Sequence, residues 1–233
     1  GGRPERDYEK LHSAEKAKSL PDSEITLAET LQKIGYATAN YGKAHLRKDP
    51  TTYGFDEAIT GWVRSFYYPF SDKYTGKLPA KDGDYFTDKL TDAALDFIER
   101  NKEKPFFVHL EHFAVHDPIQ GRKDLVEKYK RKLAAMPKQD GPEYVLEPNP
   151  DGAALSDEEL KAIEKEQGFD HTRDKRVWWV KQRQDNVEFA GMVEAVDESL
   201  GRIRAKLKEL GLEENTIVIF TSDNGGMAAS NQY

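Results

Sequence analysis

From Met192 to Leu210 the apolar residues Met192, Val196, Leu200, Ile203, Leu207 and Leu210 recur every third or fourth position. That spacing is one stripe of a long helix. Gly211 follows as a stop signal, and residues 216–221 (TIVIFT) then form a β-branched run suited to a strand buried on both faces. A helix leading directly into such a strand points to an α/β arrangement, because strands covered on both sides belong to parallel sheets. Two earlier stretches repeat the order. Residues 26–34 carry a capping-box pair, Thr26 and Glu29, then Leu27, Leu31 and Ile34 at helical spacing, then Gly35; residues 36–41 read as a short strand. Residues 86–101 place Leu90, Ala94, Phe97 and Ile98 on one helical face, and residues 106–110 read as a buried strand.

Each predicted strand runs into a polar cluster: Lys43-Ala44-His45, residues 111–118, and residues 222–226. Three helix–strand units predict an α/β domain with a largely parallel sheet. Ligands of such sheets bind beyond the carboxyl ends of the strands, so the three clusters are expected to converge on one edge. Between the second and third units, residues 121–184 are charged and contain Pro137, Pro142, Pro148 and Pro150, with one short helix predicted from the Ser156/Glu159 capping box. This segment reads as an insertion over the sheet edge.

Composition narrows the function classes. A net charge of −7 over 233 residues argues against a nucleic-acid partner, although local Lys and His can still create an anion site. The absence of cysteine rules out a thiolate metal site or a disulfide within these residues. No apolar run is long enough to span a membrane. Residues 1–18 lack the apolar core of a signal peptide and an initiator methionine, so the natural start is expected upstream and localisation is open.

Four groups of side chains can carry chemistry. Lys43 and His45, two residues apart after a strand, project to the same side of an extended chain. An ammonium and an imidazole there suit a sulfate or phosphate oxyanion and a proton transfer. By pattern alone, a solvated lysine and a loop histidine fit the pair at least as well. His109, His112 and His116 are half of the six histidines. His112 and His116 have the spacing of a helical zinc pair, but Pro118 and the strand-like approach argue against a helix. His109 reads as a core histidine within its strand, and His116, beside Asp117-Pro118, as the better functional candidate. Asp223 and Asn224 offer hard oxygen donors of the kind Ca²⁺ or Mg²⁺ takes, or an ordinary Asp-Asn turn. Trp178 and Trp179, among His171, Arg173, Lys175, Arg176 and Lys181, suit either packing of the insertion or stacking of a sulfated sugar.

Taken in order, these motifs resemble the sulfatase family. Residues 25–29 (ITLAE), 35–38 (GYAT) and 42–46 (GKAHL) resemble its TLAE…GYAT…GKWHLG stretch, and Gly54-Phe55-Asp56 its GFD. Residues 105–107 through 114–120 resemble PFF…PHxPxQ, and residues 192–226 the helix and strand ending in SDNG. The resemblance implies an alkaline-phosphatase-like α/β fold, a largely parallel sheet sandwiched between helices, with residues 1–233 forming part of a catalytic domain. It implies that Lys43 and His45 contact the nucleophile and sulfate, and that His116 contacts sulfate and assists the leaving group. Asp223 and Asn224 resemble two ligands of a divalent cation, usually Ca²⁺, with Mg²⁺ as the alternative. The family's nucleophile is a formylglycine hydrate made from a C/S-x-P-x-R motif, which attacks sulfur, releases the alcohol and then expels sulfate. No such motif and no acidic metal pair occur in these residues; both are expected upstream of the chain, with a further lysine downstream. Ala44, Arg47 and Val115 depart from the common Trp, Gly and Pro. The implied substrate is a small-molecule or oligosaccharide sulfate ester, with neither nucleic acid nor membrane as partner, and the family suggests a periplasmic or secreted location. A phosphatase or phosphodiesterase of the same superfamily, or a non-catalytic binder of sulfated glycans, would share these clusters.

Overall fold

Thr26 opens the first helix, α1 (Leu27–Lys33), as the capping pattern predicts. Its hydroxyl accepts from the Glu29 N–H at 3.1 Å, and its own N–H donates to the Glu29 carboxylate at 2.8 Å. The helix closes where Gly35 predicts, with the Tyr36 N–H returning to the Leu31 carbonyl and the Gly35 N–H to that of Gln32. The computed structural model describes residues 19–21, 23–44, 48–71, 77–138, 140–149, 153–167 and 176–225. These divide into two compact units: residues 18–134 with 187–220, and residues 135–186 with the segment from 221 onward.

The larger unit is built on a three-stranded sheet in the order β2-β1-β3, with β1 (Ala37–Gly42) parallel to both β2 (Glu57–Thr60) and β3 (Phe106–Glu111). The register pairs Ala37 with Phe106 and Gly42 with Glu111, which separates the faces by the period of two. Ala37, Ala39 and Tyr41 share one face with Phe106, Val108 and Leu110 and join the main core. Against that face lies α2 (Phe86–Arg100), which buries Phe86, Leu90, Ala94, Phe97 and Ile98. The opposite face holds Thr38, Asn40, Phe107, His109 and Glu111, with Phe55 stacked on Phe107 and His109 at ring distances of 5.9 and 6.2 Å. Burying each core aromatic removes water from enough apolar surface to contribute about 1.5–3 kcal/mol.

The long helix α5 (Val187–Glu209) packs on α2, but its buried line is not the predicted stripe. Met192, Ala195, Ser199 and Leu207 are buried, whereas Val196, Leu200 and Ile203 are only partly so. Small residues at 195 and 199 let the two helices approach closely. Arg122, just before α3 (Lys123–Ala135), ties the helices further, pairing with Asp88, Asp124 and Glu198.

The GFD residues brace β1 against α1. Gly54 adopts φ +88°, and a Cβ there would lie 2.3 Å from the Glu29 backbone nitrogen, so no side chain fits. Asp56 accepts from the Thr38 N–H at 2.8 Å, the Thr38 hydroxyl at 3.1 Å and the Gln32 side chain at 2.7 Å. Desolvation pushes its carboxyl up, but these bonds outweigh that and hold it below the usual carboxylate range.

The smaller unit pairs β4 (Tyr144–Pro148) with β5 (Val177–Lys181) antiparallel. Helix α4 (Asp157–Gln167), opened by the predicted Ser156/Glu159 box, adds Leu160 and Ile163 to a core with Leu146, Val177 and Trp179.

One expectation fails. Residues 216–220 pair with no strand among the described residues, and the side chains of 217–220 are exposed, Ile217 at 89% and Ile219 at 81%. β-branched residues favour extended dihedrals, but a strand also needs a neighbour with free backbone groups, and propensity does not supply one.

Replacing Asp56 by Ala strands the N–H of the fully buried Thr38. Urea unfolding of that variant is expected to show a loss of about 1–3 kcal/mol; an unchanged midpoint would mean the brace is dispensable.

Candidate active site at the carboxyl edge of the sheet

At the end of β1 the chain turns sharply. Gly42 has φ +111°, and a Cβ there would sit 1.8 Å from the Glu111 carbonyl oxygen. Only glycine lets the two backbones meet, and the meeting continues one residue further, where the Lys43 N–H donates to that carbonyl at 2.9 Å. Lys43 is therefore fixed at the carboxyl edge beside the last residue of β3. Its half-exposed side chain has no hydrogen-bond or ion-pair partner among the described residues. His45 lies outside the described residues.

Beyond β3 the chain makes a tight turn in which the His116 N–H donates to the Phe113 carbonyl at 2.7 Å. Cis peptide bonds precede Val115 and Pro118. The His116 ring is exposed, with Nδ1 3.4 Å from the Asp117 carbonyl oxygen. Two of the three predicted clusters thus leave neighbouring parallel strands at the same edge.

The other histidines in this stretch have partners of their own, although His109 is exposed and not the core histidine its strand position suggested. His109 Nδ1 lies 2.9 Å from the Glu111 carboxylate and 3.1 Å from Asn40 Nδ2, within the stack on Phe55 and Phe107. His112 turns toward α5, with Nε2 2.9 Å from Ser199 Oγ. Ser199 Oγ is 2.7 Å from Thr91 Oγ1, which lies 2.7 Å from the Thr87 carbonyl. That carbonyl can only accept, so the chain is satisfied when Thr91 donates to it, Ser199 to Thr91, and His112 Nε2–H to Ser199. His112 Nδ1 is buried without a partner among the described residues. Burial pushes the imidazole down to about 4, so it is neutral at physiological pH.

Gln120, the last residue of the His116 loop motif, proves to be its anchor. Its side-chain oxygen accepts from the Phe66 N–H at 2.8 Å and the Ser65 hydroxyl at 3.4 Å, and its carbonyl accepts from the Tyr85 hydroxyl at 2.8 Å. Tyr67 extends the seam, donating its hydroxyl to the Gly121 carbonyl and accepting from the Lys123 N–H. The segment after β2 and the loop after β3 are thereby one braced piece. Sequence reasoning placed Gln120 in a motif without a role; a polar residue just after the loop, opposite an aromatic-rich run, was the signal.

Asp223 and Asn224 belong to the other unit and sit in an exposed bend, where the Ser222 hydroxyl donates to the Asn224 carbonyl at 2.6 Å. Because residues 216–220 join no sheet among the described residues, the expected delivery of these two residues by a strand to the same edge is not borne out. Neither side chain has a partner among the described residues, and their oxygen chemistry fits a hard cation. No group of three or more His, Asp or Glu side chains poised around a metal occurs among the described residues. Trp179 packs in the smaller core and Lys181 bonds Glu143 and Asp185, so these two members of the tryptophan cluster are occupied by structure. His171, Arg173 and Lys175 lie outside the described residues.

The parallel sheet thus carries an ammonium, Lys43, and an exposed imidazole, His116, at its carboxyl edge. The family model for Sulfatase matches residues 2–233, and the chain belongs to that family. An uncharacterised sulfatase of Schizosaccharomyces pombe is 31% identical over 88% of this chain and 42% of its own length. An N-acetylglucosamine-6-O-sulfatase of Bacteroides thetaiotaomicron is 26% identical over 90% of this chain and 45% of its own. The chain thus spans less than half the length of these two relatives. In fold it is similar to the protein yidJ from Bacteroides fragilis, with a TM-score of 0.56 and 18% identity, covering 92% of this chain and 46% of that one. The alkaline-phosphatase-like α/β class expected from the motifs is the class observed.

His112 gives a pH prediction. Its folded value of about 4 lies below the unfolded value near 6.5, so the unfolded chain binds the proton more readily. Its neutral form stabilises the fold fully above about pH 6.5, and that contribution, on the order of 3 kcal/mol, is lost as pH falls toward 4. Denaturant unfolding of His112→Phe is expected to fall less steeply between pH 6.5 and 4 than wild type. Identical slopes would remove His112 as the source.

Proposed function

We propose that the complete protein hydrolyses sulfate esters, with a sulfated carbohydrate as substrate class. The observation that carries this reading is the emergence of Lys43 and His116 from adjacent parallel strands at one edge, in a chain of the sulfatase family. The relative named for N-acetylglucosamine-6-O-sulfatase activity supports the carbohydrate.

In this reading the Lys43 ammonium, unpaired among the described residues, holds the sulfate by charge and hydrogen bonding. The exposed His116 imidazolium gives its proton to the ester oxygen as the sulfur–oxygen bond breaks, so the sugar leaves as a neutral alcohol. Gly42 and Gln120 act through position, the first by fixing the backbone before Lys43 and the second by anchoring the loop after His116. His45 is proposed to assist Lys43 at the sulfate. Asp223 and Asn224 would hold a divalent cation, Ca²⁺ before Mg²⁺, as two of the six to eight oxygen ligands calcium takes. Such a cation would polarise the sulfate oxygens, and a formylglycine hydrate would supply the hydroxyl nucleophile. A periplasmic or secreted location is part of the same proposal.

In the full-length protein, His116→Ala is expected to lower kcat on a sulfated sugar by about 10²–10⁴-fold with the melting temperature unchanged. Wild-type turnover by that variant would remove His116 from the chemistry, and faster turnover of the matched phosphate ester would move the reading to a phosphatase. Calcium added to the chelated full-length protein should raise its melting temperature, and Asp223→Ala should diminish that rise. A rise as large in the variant would remove Asp223 from the metal site.

A further inference from the structure

The parallel register carries a third strand to the edge that bears Lys43 and His116. Thr60, the last residue of β2, pairs with Gly42, so the chain leaving β2 emerges beside the one leading into Lys43. Two residues on stands Trp62, exposed to 67% of its surface. A lone exposed aromatic is ordinary on a protein surface; the local build of this one is not. Val63 turns inward against the main core, while Trp62 and Arg64 on either side of it are exposed. Two backbone anchors hold this alternation: the Ser71 hydroxyl donates to the Trp62 carbonyl, and the Arg64 N–H to the Phe70 carbonyl at 3.0 Å. Phe66 and Phe70, just beyond, are buried against Phe86. Gln120 then bonds the same segment to the loop of His116. An indole and a guanidinium are thus presented outward on a rigid base, at the β2 end of the edge where Lys43 is central and His116 lies on the β3 side. The Arg64 side chain has no ion-pair partner among the described residues.

We infer that Trp62 and Arg64 form the sugar-binding side of the site, Trp62 stacking on a pyranose ring and Arg64 pairing with a second anionic substituent of the same glycan. The inference rests on the sulfate-ester reading of Lys43 and His116 and adds the substrate class: a carbohydrate carrying more than one anionic group. The indole face suits the apolar C–H face of a pyranose, and a ring seated there covers apolar surface that otherwise faces water. The guanidinium fork suits a sulfate or carboxylate, which it can engage through two parallel hydrogen bonds. Neither residue touches the ester bond, so both act on affinity and selectivity rather than on the chemical step.

The test uses the full-length protein and variants Trp62→Ala, Trp62→Phe and Arg64→Ala, titrated calorimetrically with inorganic sulfate, a monosulfated glucosamine and a disulfated glucosamine. Trp62→Ala is expected to weaken both sugars by about tenfold, equivalent to about 1.4 kcal/mol, and to leave inorganic sulfate unchanged. Trp62→Phe should keep most of the sugar affinity. Arg64→Ala should weaken only the disulfated sugar, by about fivefold. Unchanged sugar affinity in Trp62→Ala overturns the inference. So does a fall in melting temperature with equal loss of sulfate and sugar binding, or failure of both Trp62 variants to fold, because either makes Trp62 a packing residue covered by other parts of the protein. Wild type that binds sulfate but neither sugar ends this inference and leaves the sulfate site standing. Trp62-dependent sugar binding without turnover ends the hydrolase reading and leaves this one standing.

Discussion

The contact on which the rest of the larger unit depends is the close meeting of β1 and β3 at Gly42 and Glu111. Parallel strands hydrogen-bond evenly along their length, and here the bonding runs past the strand end to the Lys43 N–H. That extra bond is available only because residue 42 has no side chain. It decides where Lys43 stands, and through the shared register it decides which residues of β2 and β3 stand beside it. The order β2-β1-β3 then sets the order of chemistry along the edge: aromatic and cation, ammonium, imidazole.

Two polar side chains hold this edge in shape from opposite directions. Asp56 works from behind the strands, tying the amino-terminal half of β1 to α1 and to the turn that carries Gly54. Gln120 works at the front, joining the segment after β2 to the loop after β3. Both satisfy backbone N–H groups of buried residues, Thr38 and Phe66, which is where a single side-chain hydrogen bond matters most. Two short sequence motifs therefore turn out to be joints of the scaffold, with the chemistry carried by residues a few positions away.

Much of this was legible in the sequence where the signal was local. The boxes at Thr26/Glu29 and Ser156/Glu159 formed as spaced, because capping involves only residues three apart. Strands β1 and β3 and helix α2 fell within a residue or two of expectation, and the clusters after β1 and β3 reached a common edge. The losses came where a partner decides. Strand β2 is four residues beginning with Glu57, too short and polar to show a period. Helix α3 buries only Leu125 and Val126, so its stripe was hidden among charges. On α5 the stripe of large residues drew the reading away from Ala195 and Ser199, whose small size makes them the contact. Residues 216–221 were the sharpest loss, since composition specified an extended chain and nothing in it specified a neighbour. Of the candidate site, Lys43 and His116 stand as expected at the edge, whereas Asp223 and Asn224 do not reach it by a strand.

The unpaired run at residues 216–220 has a consequence for handling the protein. Ile217, Val218, Ile219 and Phe220 are apolar and exposed, with no proline or charge to interrupt them. Natural sheets blunt such edges with lysine, proline or a bulge, because an open backbone row beside apolar side chains recruits any other extended chain. Among the described residues this is the longest run of consecutive exposed large apolar side chains. Concentrated preparations would associate through it first, and a lysine at position 218 is the substitution that would keep them dispersed.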